Sequence, residues 1–204
     1  MSILLIRHGE TDLNVRRVFQ PPETPLSERG RLQARALARR LADMDVRAIL
    51  SSDMRRAQET AAALAELTGL PVTCNPLLGE RNFGDLRGQA VASISFDAYA
   101  LGYHPPNGES HEQFHTRVND AFGWLLSQYR QGNGRLAVFT HGLVLGRLIG
   151  HHVTIPEGAT MIERMDNTAV TEIDPQPPYR VSLLACSRHL SEADGTAPRG
   201  IAGV

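Results

Sequence analysis

The sequence has few cysteines and no long hydrophobic run. Among its 204 residues only Cys74 and Cys186 are cysteines, too few for the disulfide framework of a small secreted protein. No apolar run reaches the roughly 20 residues that a membrane-spanning helix needs. The first residues also lack the basic and long apolar regions of a signal peptide. We therefore expect a reduced, cytoplasmic protein without membrane segments.

A strong excess of charge of one sign is also missing. The formal net charge is -1, which gives no general attraction to nucleic acid or to an anionic membrane. The arginine-rich stretch from Arg29 to Arg47 is interpreted as the solvated face of a helix. No internal repeat or low-complexity segment is present. We predict one domain over residues 1–190, long enough for one sizeable core, and a loose C-terminal tail over residues 191–204.

Apolar segments of strand length alternate with amphipathic segments of helix length. Strands are predicted at residues 3–6, 46–50, 72–74, 136–139, 161–165, 168–173 and 180–184. Helices are predicted at residues 28–44, 54–68, 91–101, 110–129 and 142–151, and Asp53 is expected to cap the second of them. The segments 9–25 and 75–90 are predicted to be loops. This order predicts an α/β fold, a three-layer sandwich with a mainly parallel central sheet, one antiparallel edge strand and helices on both faces.

Two of the predicted strands end in the same pattern. Arg7-His8-Gly9 and Thr140-His141-Gly142 each place a histidine and a glycine where an apolar run stops. Because ligands of open α/β sheets bind beyond the carboxyl ends of the strands, we expect the two histidines to meet. The glycines are expected to let the backbone pass close to a ligand. His141 also precedes a helix, whose N-terminus favours an anion.

A third segment adds a basic residue to the same edge. The helix after the second strand can aim Arg55 or Arg56 at the histidines, and helical periodicity does not choose between them. Histidines, arginines and a helix end together predict a phosphate pocket, in which a neutral imidazole can attack phosphorus. A loop carboxylate, Glu80 or Glu109, is expected to protonate the leaving oxygen.

Several stretches resemble, in order, the motifs of the histidine phosphatase superfamily, also called phosphoglycerate mutase-like. The first is Leu5-Ile6-Arg7-His8-Gly9-Glu10-Thr11 with Asn14, and the others lie at residues 24–34, 52–61, 78–88, 106–110, 139–142 and 167–171. Each stretch alone is a weak signal, but their joint occurrence in this order is specific. The resemblance extends over roughly residues 1–175 and implies the fold predicted above.

The resemblance also implies catalytic roles. His8 would be the nucleophile that becomes phosphohistidine, and Glu80 would protonate the leaving group and then activate water. The residues that would hold the phosphoryl group are Arg7, Arg56 and His141, and Asn14 would contact the phosphate or its ester oxygen. The motif spacing selects Arg56 over Arg55.

The implied ligand is a small phosphorylated metabolite, with no metal or dissociable cofactor. The leaving group would meet the loop at residues 15–24, the segment 91–108 and Leu143, and Glu109 is a further candidate contact. Dimers are common among such relatives, but the sequence leaves the oligomeric state open between a monomer and a homodimer.

Departures from the family pattern favour a phosphatase over a phosphoglycerate mutase. Cofactor-dependent mutases usually continue the second histidine motif as Gly-Asn-Ser-Leu-Arg, whereas Leu143 and Gly146 occupy the Asn and Arg positions here. The mutase insertion between the acid-bearing loop and the second histidine is also missing. The sequence therefore predicts hydrolysis of a small, partly apolar or uncharged phosphomonoester, with mutase activity as the alternative.

Two further classes of protein are weighed against this reading. His111-Glu112-Gln113-Phe114-His115 fits the pattern in which two histidines one helical turn apart bind zinc and a glutamate activates water. No third ligand follows at the usual spacing, so packing or lining of the cleft is the preferred interpretation. A non-catalytic binding protein would be expected to have lost motif residues, whereas the full set is present.

Overall fold

The computed structural model describes residues 2–156 and 165–190, and its sheet and helices alternate along the chain. The strands are β1 (Ile3–Arg7), β2 (Val46–Ser51), β3 (Val72–Cys74), β4 (Arg135–Thr140), β5 (Val170–Ile173) and β6 (Val181–Cys186). The helices are α1 (Asp12–Val15), α2 (Glu28–Ala42), α3 (Arg55–Thr68), α4 (His111–Tyr129) and α5 (Gly142–His152), with single 3-10 turns at Pro76–Leu78, Gly84–Leu86 and Val91–Ser93. No helix of the described residues is both long and apolar enough to cross a membrane.

The six strands form one sheet in the order β3-β2-β4-β1-β5-β6. Pairings from β3 through β1 are parallel, while β5 is antiparallel to both of its neighbours. β1 and β4, the strands that carry the two histidine motifs, lie side by side in a register that pairs Arg7 with Thr140. The α/β class and the mainly parallel sheet predicted from the sequence are confirmed.

Helices cover both faces of the sheet, because the side chains of each strand alternate between them. Ile3 and Leu5 of β1 pack in a cluster with α4 and α5, while Leu4 and Ile6 pack with α2 and α3. All four side chains are buried, which explains why this strand is a continuous apolar run rather than an alternating one. The sheet is therefore the middle layer of a three-layer sandwich.

The predicted antiparallel edge strand is wrong in its position. β5 and β6 form the antiparallel hairpin expected from the two late strands, but β5 is inserted between β1 and the edge. Since β6 is antiparallel to β5, the edge strand β6 runs in the same direction as β1. The strand predicted at 161–165 lies almost entirely outside the described residues, as does the tail at 191–204.

The predicted helix at 91–101 is wrong. Only the 3-10 turn Val91–Ser93 forms there, because the Asp97 side chain accepts a hydrogen bond from the Tyr99 amide (2.8 Å) and so competes with helical pairing. Ala98 is buried against the side chains of Phe19 and Phe83. The segment is an irregular cover over an aromatic cluster.

Two helix starts also differ from the sequence prediction. The predicted loop 9–25 contains the one-turn helix α1, which is held by a capping box between Thr11 and Asn14. Asp53 does not cap α3. The N-cap is Met54, whose amide donates to the Ser52 hydroxyl (3.1 Å). Both differences depend on hydrogen bonds between a side chain and the nearby backbone, which the apolar periodicity of the sequence does not reveal.

Candidate active site

The carboxyl ends of β1 and β4 bring the two histidine motifs together. The His8 amide donates to the Thr140 carbonyl (2.9 Å), and the rings of His8 and His141 have centroids 5.2 Å apart. Both side chains are buried. This proximity follows directly from parallel pairing, since adjacent parallel strands end at the same edge of the sheet.

The protonation of one ring nitrogen of His8 is fixed by a hydrogen bond to the backbone of the next residue. Nδ1 lies 2.7 Å from the Gly9 carbonyl oxygen, and because a carbonyl can only accept, Nδ1 must carry the proton. Burial, followed by the charges of Arg56 and Arg7, holds the pKa of His8 well below its usual range. The ring is therefore neutral, with the lone pair of Nε2 available for attack.

Gly9 lacks a side chain because its backbone packs closely against α2, not because the backbone must approach a ligand. A Cβ at this position would lie 2.7 Å from the Gly30 carbonyl at the start of α2, so the backbone packs against that helix. The Gly9 amide donates to the Thr60 hydroxyl of α3 (2.9 Å). The turn after His8 is thus anchored by both helices on one face of the sheet.

His141 forms the N-cap of α5 and contacts the end of β2. Its Nε2 lies 2.9 Å from the Ser52 hydroxyl oxygen, whereas its buried Nδ1 has no hydrogen-bond partner among the described residues. Burial and the nearby Arg56 lower the pKa of His141 well below its usual value. When the Ser52 hydroxyl donates to Nε2, Nδ1 carries the ring proton and can donate to an anion.

Two buried arginines complete the cationic part of the site. Arg56 donates from Nη1 to the Pro21 carbonyl (3.2 Å) and has only 2% of its surface exposed. Burial lowers its pKa to about 10, an effect partly offset by Glu80, so the guanidinium stays charged at neutral pH. Arg7 is buried as well and donates to the Met165 carbonyl. Arg55, by contrast, pairs with Glu59 on the exposed side of α3.

Glu80 lies at the same cavity with both carboxyl oxygens in hydrogen bonds. Oε1 accepts from the Arg81 amide (3.0 Å) and Oε2 from the Leu143 amide (3.2 Å) at the start of α5. Burial raises the pKa of Glu80, and these hydrogen bonds offset the effect only in part. A buried carboxyl with a raised pKa beside a neutral histidine is suited to donate a proton.

One cavity joins these groups to an apolar wall. Its polar lining consists of Arg7, His8, Gln20, Arg56, Glu80 and Arg81, and its apolar wall consists of Val18, Phe19, Met54, Phe83, Tyr99 and Leu143. His141 is not among the lining residues. The three aromatic rings pack against one another with centroid separations of 4.7 to 6.0 Å. The loop after α1, the segment 91–108 and Leu143 therefore meet where the sequence predicts a leaving-group pocket.

Glu109 and Asn14 do not line this cavity. Glu109 forms a two-pronged ion pair with Arg117, at 2.7 and 2.8 Å, and accepts from the Asn82 amide. These hydrogen bonds lower the pKa of Glu109 despite its burial, which alone would raise it. The side-chain oxygen of Asn14 caps α1 at the Thr11 amide (3.3 Å). Their substrate-binding roles stay predictions, and Glu109 is placed to support the loop of Glu80.

Three residues near the site make contacts that the sequence argument did not single out. Ser52 contacts His141, and Asn167 donates from its side chain to the His8 carbonyl (2.9 Å). Arg81, which is buried, donates to the carbonyls of Tyr103 (2.9 Å) and Glu109 (3.2 Å) and so ties the 98–109 segment to the Glu80 loop. The sequence signal that could have identified them is their position inside the motif-like stretches at residues 52–61, 78–88 and 167–171.

Among the described residues, the histidines of the zinc-protease pattern do not belong to a metal site. His111 and His115 are adjacent on α4, with ring centroids 5.8 Å apart, but His111 Nε2 lies 3.0 Å from the Ala100 carbonyl. Within residues 2–156 and 165–190, no group of three potential metal-ligating side chains comes together. A catalytic zinc needs three protein ligands, so the metallopeptidase alternative has no structural support.

Two neutral histidines beside the ends of β1 and β4 lie near two buried arginines and a carboxyl group with a raised pKa, an arrangement suited to phosphoryl transfer. The sequence model of the histidine phosphatase superfamily (branch 1) matches residues 3–185. The chain belongs to this superfamily, which confirms the resemblance.

Some of the individual relatives are named as mutases and others as phosphatases. A probable phosphoglycerate mutase, GpmB, of Erwinia tasmaniensis is 30% identical over 186 residues, 86% of each chain. Among solved structures, a putative alpha-ribazole-5'-P phosphatase from Escherichia coli K-12 is 30% identical with a TM-score of 0.79, covering 92% of this chain and 97% of that one. A mycobacterial glucosyl-3-phosphoglycerate phosphatase is 28% identical with a TM-score of 0.74, covering 91% and 98%.

Proposed function

We propose that this histidine phosphatase hydrolyses small phosphate monoesters through a phosphohistidine on His8. The observation that carries the proposal is the fixed tautomer of His8, whose Nδ1 proton is committed to the Gly9 carbonyl and whose side chain lines the same cavity as Arg7 and Arg56. A nucleophile held in this protonation state needs no separate base. Phosphatases among the relatives support the same reaction.

In the first step, Nε2 of His8 forms a bond to phosphorus as the bond from phosphorus to the ester oxygen breaks. The protonated Glu80 gives its proton to that oxygen, and the alcohol leaves. Arg7 and Arg56, with a proton on His141, offset the charge on the three other phosphoryl oxygens. No electron or proton from outside the site is needed.

In the second step, the Glu80 carboxylate takes a proton from a water molecule whose oxygen attacks phosphorus. The bond from phosphorus to His8 breaks, which returns the lone pair to Nε2 and releases inorganic phosphate. Glu80 is then protonated again and the cycle closes.

Hydrolysis is proposed over mutase chemistry because of the leaving-group wall. A phosphoglycerate substrate carries a carboxylate that needs a cation on that side. Arg81 lines the cavity next to Phe83, with 5.2 Å from its guanidinium carbon to the ring centroid, and its guanidinium is committed to the carbonyls of Ala98, Tyr103 and Glu109. The apolar wall suits a leaving group that is partly apolar or uncharged.

The pKa directions at the site further suggest an acid-type phosphatase. A lowered His8 pKa keeps the nucleophile neutral into acid solution, and a raised Glu80 pKa keeps the proton donor protonated. A cytoplasmic location stays a prediction from the sequence, which cell fractionation would test, and light scattering would decide between a monomer and a homodimer.

The deciding experiment combines His8→Ala with acid quenching. Wild-type protein should release phosphate from phenyl phosphate and, when quenched during turnover of a labelled ester, should retain label on His8. His8→Ala should lose both, while His151→Ala, a change at an exposed histidine in the last turn of α5, should keep both. Near-normal turnover by His8→Ala would contradict the mechanism. Faster interconversion of 2- and 3-phosphoglycerate than phosphate release from any ester would favour the mutase.

A further inference from the structure

We infer that the Tyr99 hydroxyl is the polar contact for the leaving group, and that the preferred leaving group is a neutral alcohol with a hydroxyl or carbonyl oxygen on a ring-sized, partly apolar frame. The inference rests on the proposed function and adds to it a specificity residue and a substrate class. It is carried by the position of a single buried oxygen atom.

The Tyr99 hydroxyl is buried without a hydrogen-bond partner among the described residues. The residue as a whole is only half-buried, so its hydroxyl oxygen is more deeply buried than the rest of the residue. A buried hydroxyl that lacks a partner costs free energy, and such groups in folded proteins require an explanation. A ligand that supplies the missing partner is one.

The second observation is the place of Tyr99 in the lining of the cavity around His8. Tyr99 lines this cavity together with Glu80, and the two are near enough that the Glu80 charge, after burial, raises the pKa of the hydroxyl. The phenol therefore stays protonated and can both donate and accept a hydrogen bond. Its ring is held by Phe19 and Phe83, with centroids 6.0 and 5.4 Å away.

This placement orients the hydroxyl relative to the reaction. The ester oxygen must lie next to Glu80 to receive its proton, so the groups that follow it in the alcohol extend along the wall that contains Tyr99. Besides the polar side chain of Gln20, the cavity is lined there by Val18, Phe19, Met54, Phe83 and Leu143. Aromatic and aliphatic side chains of this kind favour a flat or ring-sized apolar surface.

An anionic substituent is disfavoured on the same wall. Arg81 donates from Nη1 and Nη2 to the Ala98 and Tyr103 carbonyls, and its Nε faces the Glu109 carbonyl. Among the described residues that line the cavity, the other arginines are Arg7 and Arg56, which the proposed mechanism assigns to the phosphoryl group. A neutral hydrogen-bonding oxygen is therefore the substituent that fits.

The test compares Tyr99→Phe with wild type on two kinds of ester. Tyr99→Phe keeps the ring that packs in the aromatic cluster and removes only the hydroxyl. For ribose 5-phosphate, which offers neutral hydroxyls, we expect kcat/KM to fall about 10-fold, as for one lost hydrogen bond to a substrate. For phenyl phosphate, whose leaving group has no second oxygen, kcat/KM should stay within about twofold of wild type.

Tyr103→Phe is the matched control, since Tyr103 lies in the same segment but packs on Phe96 (4.9 Å between centroids) and is not among the cavity-lining residues. It should leave both esters unaffected. Equal effects of Tyr99→Phe on both esters would overturn the inference, as would a wild-type preference for phosphoserine or 3-phosphoglycerate. These results would leave the proposed function intact, whereas failure of wild type to release phosphate from any ester would overturn both.

Discussion

Burial moves the pKa values of His8 and Glu80 in opposite directions, and both shifts favour the protonation state that the proposed reaction needs. An imidazolium is charged, so burial lowers the pKa of His8, whereas a carboxylate is charged, so burial raises the pKa of Glu80. The single residues of the site are therefore tuned by the same low-polarity surroundings. Their chemistry depends on the fold that buries them.

The pH dependence of the reaction follows from these two shifts. Activity should fall at high pH as Glu80 loses its proton around its raised pKa, and it should persist at low pH until His8 is protonated near its lowered pKa. Glu80→Gln should remove the high-pH decline and reduce kcat for alkyl esters by about 10² to 10⁴-fold. Profiles of kcat/KM against pH would measure both effects.

Two comparisons make the Glu80 prediction specific. Aryl esters with a good leaving group should lose less activity than alkyl esters, because they depend less on protonation. Glu112→Gln, at an exposed residue of α4, should leave the profile unchanged. An unaltered high-pH decline in Glu80→Gln would show that another group donates the proton.

Adjacent arginines on α3 give a second matched pair at the residue scale. Arg56 lines the cavity and Arg55 pairs with Glu59 at the surface. Arg56→Lys should lower kcat/KM by about 10² to 10³-fold, because an ammonium cannot replace the planar fork of a guanidinium on a phosphoryl group. Arg55→Lys should change it by less than about twofold. Similar kinetics for the two variants would remove Arg56 from the phosphate site.

At the scale of elements, the loop of Glu80 is held from α4. Arg117 donates to the carbonyls of Leu77 (2.9 Å) and Gly79 (2.7 Å) and binds the Glu109 carboxylate. Thr140 at the end of β4 adds a hydrogen bond to the Leu78 carbonyl (2.6 Å). Glu80, the proposed proton donor, is thus placed by a helix and a strand distant in sequence.

Arg117→Ala should therefore reduce activity without removing any predicted catalytic residue. We expect kcat to fall by up to about a hundredfold, since a displacement near 1 Å is enough for such a loss. The free energy of unfolding should fall by about 1 to 3 kcal/mol, because the Glu109 carboxylate and loop carbonyls lose charged partners. Enzyme assays and urea denaturation would measure the two effects.

Arg130→Ala, at the exposed C-terminal end of α4, is the control for this loop. It should change neither quantity appreciably. If Arg117→Ala lowered stability but kept the wild-type kcat, Arg117 would be structural only and would not position Glu80.

The elements differ in how well the sequence predicts them. β1 and β4 are continuous buried apolar runs, and α4 begins with a capping box at Ser110 and Gln113, so local patterns were sufficient for them. The helix prediction for residues 91–101 was wrong because the structure of this segment depends on the Asp97 turn and on the burial of Ala98 under aromatic residues. Those contacts join parts of the chain that no local pattern connects.

At the scale of the whole molecule, one sheet with a core on each face predicts a single cooperative unit over the described residues. Leu4 and Leu5 are adjacent in β1 but belong to different clusters. Leu4→Ala and Leu5→Ala should each lower the free energy of unfolding by about 2 to 5 kcal/mol. Urea transitions followed by circular dichroism and by Trp124 fluorescence should coincide for each variant.

Leu32→Ala, at an exposed position on α2, should change the free energy of unfolding by less than about 0.5 kcal/mol. Separate transitions for the two probes would contradict a single domain. A loss confined to one probe would assign each cluster to an independent folding unit.

The sequence by itself determined the α/β class, the two histidine motifs at strand ends and the choice of Arg56, because each is written in a local pattern or in motif spacing. Only the tertiary structure decided that β5 lies inside the sheet, that Glu109 pairs with Arg117 and that Tyr99 faces the cavity. The physical reason is range: periodicity and capping act within a few residues, whereas strand order, burial and pKa depend on side chains that meet only after the chain has folded.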